Sequence, residues 1–173
     1  VVWGTIKDHD GYIDVRSEEG HGTSFSLYFP VTRAGASEGR VSISISEYMG
    51  KGESILVVDD VDGQRELAAH MLEKLNYRVA TVAGGEEAVE YLKNNRADLI
   101  VLDMIMDPGI DGLDTYERII KVNPGQKAII VSGYSETERV RRAQGLGAGS
   151  YVKKPYIMER MGLAVRRELD GKQ

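Results

Sequence analysis

Between residues 54 and 169, short apolar runs alternate with stretches of helical period, and this alternation constrains the chain more than any other feature. The runs are SILVVD (54–59), YRVATV (77–82), DLIVLD (98–103), KAIIVS (127–132) and GSYVK (149–153). They are rich in β-branched residues and lack strict polar alternation, as strands covered on both faces do. Between them, 62–75 carries Leu67, Met71, Leu72 and Leu75 on one helical stripe, and 85–95 carries Ala88, Val89 and Leu92. Further helices fit 112–122, 135–145 and 156–169. Five strand–helix units predict an α/β fold: a doubly wound, five-stranded parallel sheet with right-handed crossovers. Ligands of such sheets bind at the carboxyl ends of the strands, where the strand order reverses.

The rest of the chain reads differently. Residues 34–52, AGASEGRVSISISEYMGKG, have the Gly, Ser and Ala content of a linker. Within them VSISIS alternates with period two, which predicts one half-buried strand that must pair with something. Residues 1–33 hold a helix tail and two strand candidates, GYIDVRS and TSFSLYFPV, joined by EEGHG. They are too few to build a core. Because the chain opens inside an element, VVWGTIKDHDG, it is expected to be cut from something longer.

Composition excludes several classes. A net charge of −5 argues against a nucleic-acid surface, which needs a basic patch. The absence of cysteine rules out disulfides and thiolate metal sites and fits a reducing, cytoplasmic setting. No apolar run approaches the roughly 20 residues of a membrane span, so no membrane contact is expected of this fragment.

The chemistry gathers at the strand ends. Asp59 and Asp60 close the first strand and Asp103 the third, and in a doubly wound sheet those ends are neighbours. Two like charges 4 Å apart repel by about 4 kcal/mol at an effective dielectric of 20. Either one carboxyl takes a proton or a cation joins them. A shallow, wet, all-oxygen site suits Mg²⁺, which keeps several waters and coordinates phosphate readily. An acid at a strand end is often only a helix cap or a solvated turn residue. Here Ser132 ends the fourth strand and Lys153-Lys154-Pro155 follows the fifth, which puts a hydroxyl and an ammonium on the same rim.

ILVVDD, LIVLD, AIIVSG and YVKKP, in this order and spacing, resemble the receiver domain of two-component response regulators over about residues 53–170. The resemblance implies a flavodoxin-like strand order 2-1-3-4-5. It implies Asp103 as the phosphoacceptor, taking a phosphoryl group from the phosphohistidine of a histidine kinase or phosphotransfer protein in a Mg²⁺-dependent reaction. Asp60 would bind the metal directly, Asp59 mainly through water, and the backbone carbonyl of Ile105 would complete the protein ligands. Lys154 would ion-pair with the phosphoryl group, Ser132 would swing to hydrogen-bond it, and Tyr151 would follow as the aromatic part of the switch. The Lys154–Pro155 bond is expected to be cis. The face built from 133–148 and 151–165, with Arg139, Arg141 and Arg142, would be the output surface. Self-association through that face or through the N-terminal hairpin stays open.

One departure from the family pattern concerns DMIMDPGIDG, where Asp107 stands between Met106 and Pro108 and lengthens the loop by one residue. Asp107 could tune the metal site or be a solvated loop acid. Tyr134, two residues past Ser132, could obstruct a hydrolytic water.

Residues 10–30, DGYIDVRSEEGHGTSFSLYFP, resemble the end of a histidine-kinase ATP-binding domain, with Gly20-His21-Gly22-Thr23 matching its last glycine-rich box. The division expected is therefore 1–33 kinase fragment, 34–52 linker and 53–170 receiver. The earlier glycine box, the asparagine helix and a phosphoacceptor-histidine helix are absent, so the fragment itself is not a kinase. The parent would be a hybrid sensor kinase, cytoplasmic at this end and membrane-anchored elsewhere.

Two rival readings remain at this stage. Asp60-Val61-Asp62-Gly63 has the arrangement of a haloacid-dehalogenase-type phosphatase nucleophile, Asp60, although Gln64 stands where that family has threonine. A receiver used only for docking, never phosphorylated, is the other.

Overall fold

The computed structural model describes residues 2–31, 43–133 and 138–171, which fall into two compact units divided after Ser42. The smaller consists of a helix α1 (Val2–Asp8) and an antiparallel hairpin, β1 (Tyr12–Glu18) with β2 (Gly22–Tyr28), registered from Tyr12↔Tyr28 to Glu18↔Gly22. Gly20 and Gly22 turn the hairpin at φ of 80° and 89°, a region that side chains with a Cβ rarely adopt. Period-two alternation puts Val15, Phe25 and Leu27 on one face, and all three are exposed.

The larger unit alternates strand and helix: β3 (Ser54–Val58), α2 (Asp62–Lys74), β4 (Arg78–Val82), α3 (Gly85–Asn94), β5 (Leu99–Asp103), α4 (Gly112–Val122), β6 (Ala128–Ser132), α5 (Glu138–Gly145), β7 (Tyr151–Lys153) and α6 (Met158–Asp170). All five strands pair in parallel in the order β4-β3-β5-β6-β7, which is the expected 2-1-3-4-5. Successive side chains of β3, β5 and β6 alternate between two apolar layers. Ile55, Val57, Leu99, Val101 and Ile129 meet Ala68, Leu72, Met161 and Val165 of α2 and α6. Leu56, Ile100, Leu102 and Ile130 meet Ala88, Leu92, Leu113 and Ile119 of α3 and α4. Both faces are covered, which is why these runs show no polar alternation.

Local chemistry sets the element ends. The Asp111 side chain accepts from the Asp114 amide at 3.0 Å and caps α4, and Gly171 ends α6 at φ 66°. Helix α2 turns its face one residue from expectation. Ala68 is buried while Leu67 is 49 % exposed, because close approach of α2 to the sheet leaves room only for a small side chain there.

The strand expected from VSISIS does not form over its described part. Val41 and Ser42 lie outside the described residues, Ile43 and Ser44 are irregular, and Ile45–Glu47 is a 3-10 turn. The larger compact unit starts at Ile43. Tyr48 sits in the core beside Leu75 and Gly162, where an added Cβ on Gly162 would lie 2.5 Å from the Tyr48 ring. Gly50 lies against the Tyr77 ring, its amide donating to the Leu75 carbonyl at 2.7 Å. The Tyr77 hydroxyl donates to the Tyr48 carbonyl at 3.3 Å. One buried aromatic ring and these bonds outweigh a lone strand with no partner. No helix among the described residues is long and apolar enough to cross a membrane.

Candidate functional site

The carboxyl ends of β3 and β5 converge because the two strands are paired neighbours, Val58 opposite Leu102. One carboxylate oxygen from each of Asp59, Asp60 and Asp103 falls within a 4.8 Å cluster. Asp59 and Asp103 are buried, with 1 % and 5 % of their surfaces exposed. The Lys154 ammonium lies between them, donating to Asp59 Oδ2 at 2.6 Å and Asp103 Oδ2 at 2.7 Å. That explains how an acid can end a strand buried on both faces: its charge is paired where it leaves water.

Each carboxylate is also held by backbone. The Val61 amide donates to Asp59 Oδ1 at 3.0 Å, the Ile105 amide to Asp103 Oδ1 at 3.3 Å, and the Asp107 amide to Asp60 Oδ2 at 3.1 Å. The remaining oxygen, Asp60 Oδ1, is buried and finds no hydrogen-bond partner among the described residues. Burial pushes the Asp103 carboxyl above its ordinary value, and the hydrogen bond from Lys154 opposes that push.

Lys154 is placed by its neighbours in the sheet. Its amide donates to the Ser132 carbonyl at 2.8 Å, continuing the pairing of Ser132 with Lys153, and the Lys154–Pro155 bond is cis as expected. Ser132 is buried at the end of β6. The Tyr151 hydroxyl reaches its carbonyl in a long bond of 3.5 Å, so these two residues are linked through the rim. Arg139 ion-pairs with Asp111 and Asp114, and Arg142 with Glu117 at 3.0 Å, which ties these two arginines to α4. Tyr134 lies outside the described residues.

Three contributors had no clear mark in the sequence. Arg65 donates to the Asp59 carbonyl at 2.6 Å and also pairs with Asp62, bracing the turn after β3. Gly112 approaches the Asp103 carbonyl so closely that a Cβ would collide with that oxygen. Tyr156 lines the site and is mostly buried, and burial, then the charges of Asp59 and Asp103, pushes its phenol up to about 12. Its position directly after the cis proline was the one available hint. The site opens into a hollow of about 550 Å³ bounded by Asp60, Gln64, Leu67, Ile105, Pro155 and Tyr156.

The family model described as "Response regulator receiver domain" matches residues 55–166. Sporulation initiation phosphotransferase F of Bacillus subtilis (strain 168) is 32 % identical over 117 residues, covering 68 % of this chain and 94 % of that protein. Sensor kinase CckA of Brucella abortus (strain 2308) is 27 % identical over 98 % of this chain, which spans only 19 % of that kinase. A CheY-like response regulator receiver domain protein of Methanospirillum hungatei JF-1 superposes with a TM-score of 0.65 at 27 % identity, covering 70 % of this chain and 96 % of that one. With its parallel sheet in receiver order, acids and lysine meeting at the strand ends, and a family match over most of its length, the chain belongs to the response regulator receiver domain family.

Proposed function

We propose that Asp103 is the phosphoacceptor of a two-component phosphorelay and takes its phosphoryl group from a histidine kinase or a phosphotransfer protein. The observation that carries this reading is the Lys154 ammonium shared between Asp59 and Asp103 beside a third carboxylate, Asp60, whose buried Oδ1 has no partner among the described residues. A carboxylate is a weak nucleophile, so the site must act by positioning and charge compensation. Asp103 is held by the Ile105 amide on one oxygen and by Lys154 on the other. One of these oxygens attacks phosphorus in line as the N–P bond to the donor imidazole breaks, and the departing nitrogen keeps or picks up a proton. Lys154 then pairs with the phosphoryl oxygens, the Ser132 hydroxyl turns to them, and Tyr151 follows through its link to Ser132.

The all-oxygen donor set fits magnesium. Asp60 through Oδ1, Asp103 and the backbone carbonyl of Ile105 would hold the ion, with Asp59 acting through water. When bound, the ion offsets the charge that builds up on the transferred oxygens.

A protein donor suits the rim of the hollow. Val61, Leu67 and Ile105 are exposed around it, an apolar border for the helix that carries the histidine. The small unit reads as the last helix and hairpin of a kinase ATP-binding domain, supported by the CckA likeness running through it. The parent is then a hybrid sensor kinase with its receiver in the cytoplasm. The dehalogenase-type alternative loses support because the Asp62 side chain is 83 % exposed and paired with Arg65, away from Asp60's cluster.

Acetyl phosphate with Mg²⁺, read by intact mass, tests the reading. Wild type should gain roughly 80 Da, one phosphoryl group, and Asp103→Asn should gain nothing. No adduct on wild type under any condition would leave only the docking role, and an adduct lost with Asp60→Asn but kept by Asp103→Asn would restore the phosphatase.

A further inference from the structure

We propose that the lengthened loop 104–111 is a positioning device for Asp60, acting through the Asp107 main chain and clamped by Glu86. The proposal rests on the magnesium site proposed above.

Three contacts make the device. The Asp107 amide donates to Asp60 Oδ2 at 3.1 Å, so one oxygen of that carboxylate is occupied by a fixed donor. The other, Oδ1, is thereby left buried and without a partner among the described residues, which is the state a cation would complete. Farther along the loop, the Glu86 carboxylate of α3 accepts from the Ile110 amide at 3.1 Å. Gly109, at φ 121°, runs so close to Glu86 that a Cβ would lie 2.8 Å from its Oε2, and Ile110 sits against Gly85.

The loop is thus tied at one end to α3 and at the other to Asp60. Asp60 itself follows β3 and is only partly buried, and the Asp107 amide is a fixed donor to its carboxylate. Holding it in one rotamer before the cation arrives removes an ordering cost that binding would otherwise bear. The inserted residue therefore acts through its N–H, and its own exposed carboxylate is not the working group.

Mn²⁺ binding to the full chain, read from the free-ion electron paramagnetic resonance signal, tests this without any phosphoryl transfer. Glu86→Ala should weaken binding about five- to tenfold, the size of one ordinary hydrogen bond. Glu86→Gln, which keeps an acceptor for the Ile110 amide, should stay within about twofold of wild type. Equal losses in both would mean that only the charge of Glu86 matters, and would overturn the proposal. Asp107→Ala and Asp107→Pro both remove the carboxylate, but only the second removes the donor. Proline should bind at least about fivefold more weakly than alanine, and equal affinities would also overturn it. Wild type that binds no Mn²⁺ would instead remove the magnesium reading and this inference with it.

Discussion

Lys154 Nζ lies 2.7 Å from Asp103 Oδ2 and 2.6 Å from Asp59 Oδ2, so one ammonium is shared by two carboxylates whose side chains are almost fully buried. Removing it leaves two acids facing each other out of water. Lys154→Met should cost about 3 kcal/mol in urea unfolding at pH 7 in the presence of a chelator, as expected for breaking a buried pair from one side. The deficit should shrink as pH falls and Asp103, already raised by burial, takes a proton. Millimolar Mg²⁺ should recover part of it by binding the folded state alone. A deficit unchanged by pH and Mg²⁺ would contradict the pairing.

The opposite sign is expected for Asp103→Asn. A carboxyl whose folded-state value lies above its ordinary 3.8 costs stability once pH passes the unfolded value, with the full cost in place above the folded one. Asparagine carries no such cost. Its melting temperature should exceed that of wild type at pH 7. The gain should vanish as pH falls below 3.8, where the acid is protonated in both states.

Tyr48 belongs to the core even though its surroundings read as a linker. Tyr48→Ala should destabilise the chain by about 3 kcal/mol, as for other large buried rings. Gly162→Ala should cost about 1–3 kcal/mol, because the new methyl would meet the Tyr48 ring at 2.5 Å and Leu75 at 2.7 Å. Denaturant melts of both variants check this, and a near-neutral Tyr48→Ala would return residues 43–52 to the role of a loose tether.

Gly112→Ala probes the site through the backbone. Its methyl would strike the Asp103 carbonyl, which belongs to β5 and cannot move without shifting the acid. Acetyl phosphate labelling should fall by about tenfold or more, since small displacements of reacting groups are costly, while helical circular dichroism is retained.

Much of the fold was legible because it rests on local periodicity. The five runs are strands because their β-branched residues suit a sheet covered on both sides, and the helices fall within a few residues of their apolar stripes. Some details were not legible. Leu67 and Ala68 occupy adjacent positions on α2, and only the closeness of the sheet decides that the smaller one faces inward. The period of VSISIS was genuine, yet a strand needs a partner edge, and the described residues 43–47 form a turn that seats Tyr48 instead.

The same division holds at the site. Asp59, Asp60, Asp103, Ser132 and Lys154 were expected together from the order of strand ends, because a doubly wound sheet delivers the carboxyl end of every strand to one rim, whereas the cis proline was expected only from the family resemblance. By itself the sequence determined which chemical groups reach that rim. Only the tertiary structure decided how they share one another's charge: that Lys154 bridges two acids, that the Asp107 amide rather than its carboxylate meets Asp60, and that Tyr156 and Gly112 close the walls. Hydrogen-bond partners and close approaches depend on distances between elements far apart in the chain, and no local pattern of residues encodes those distances.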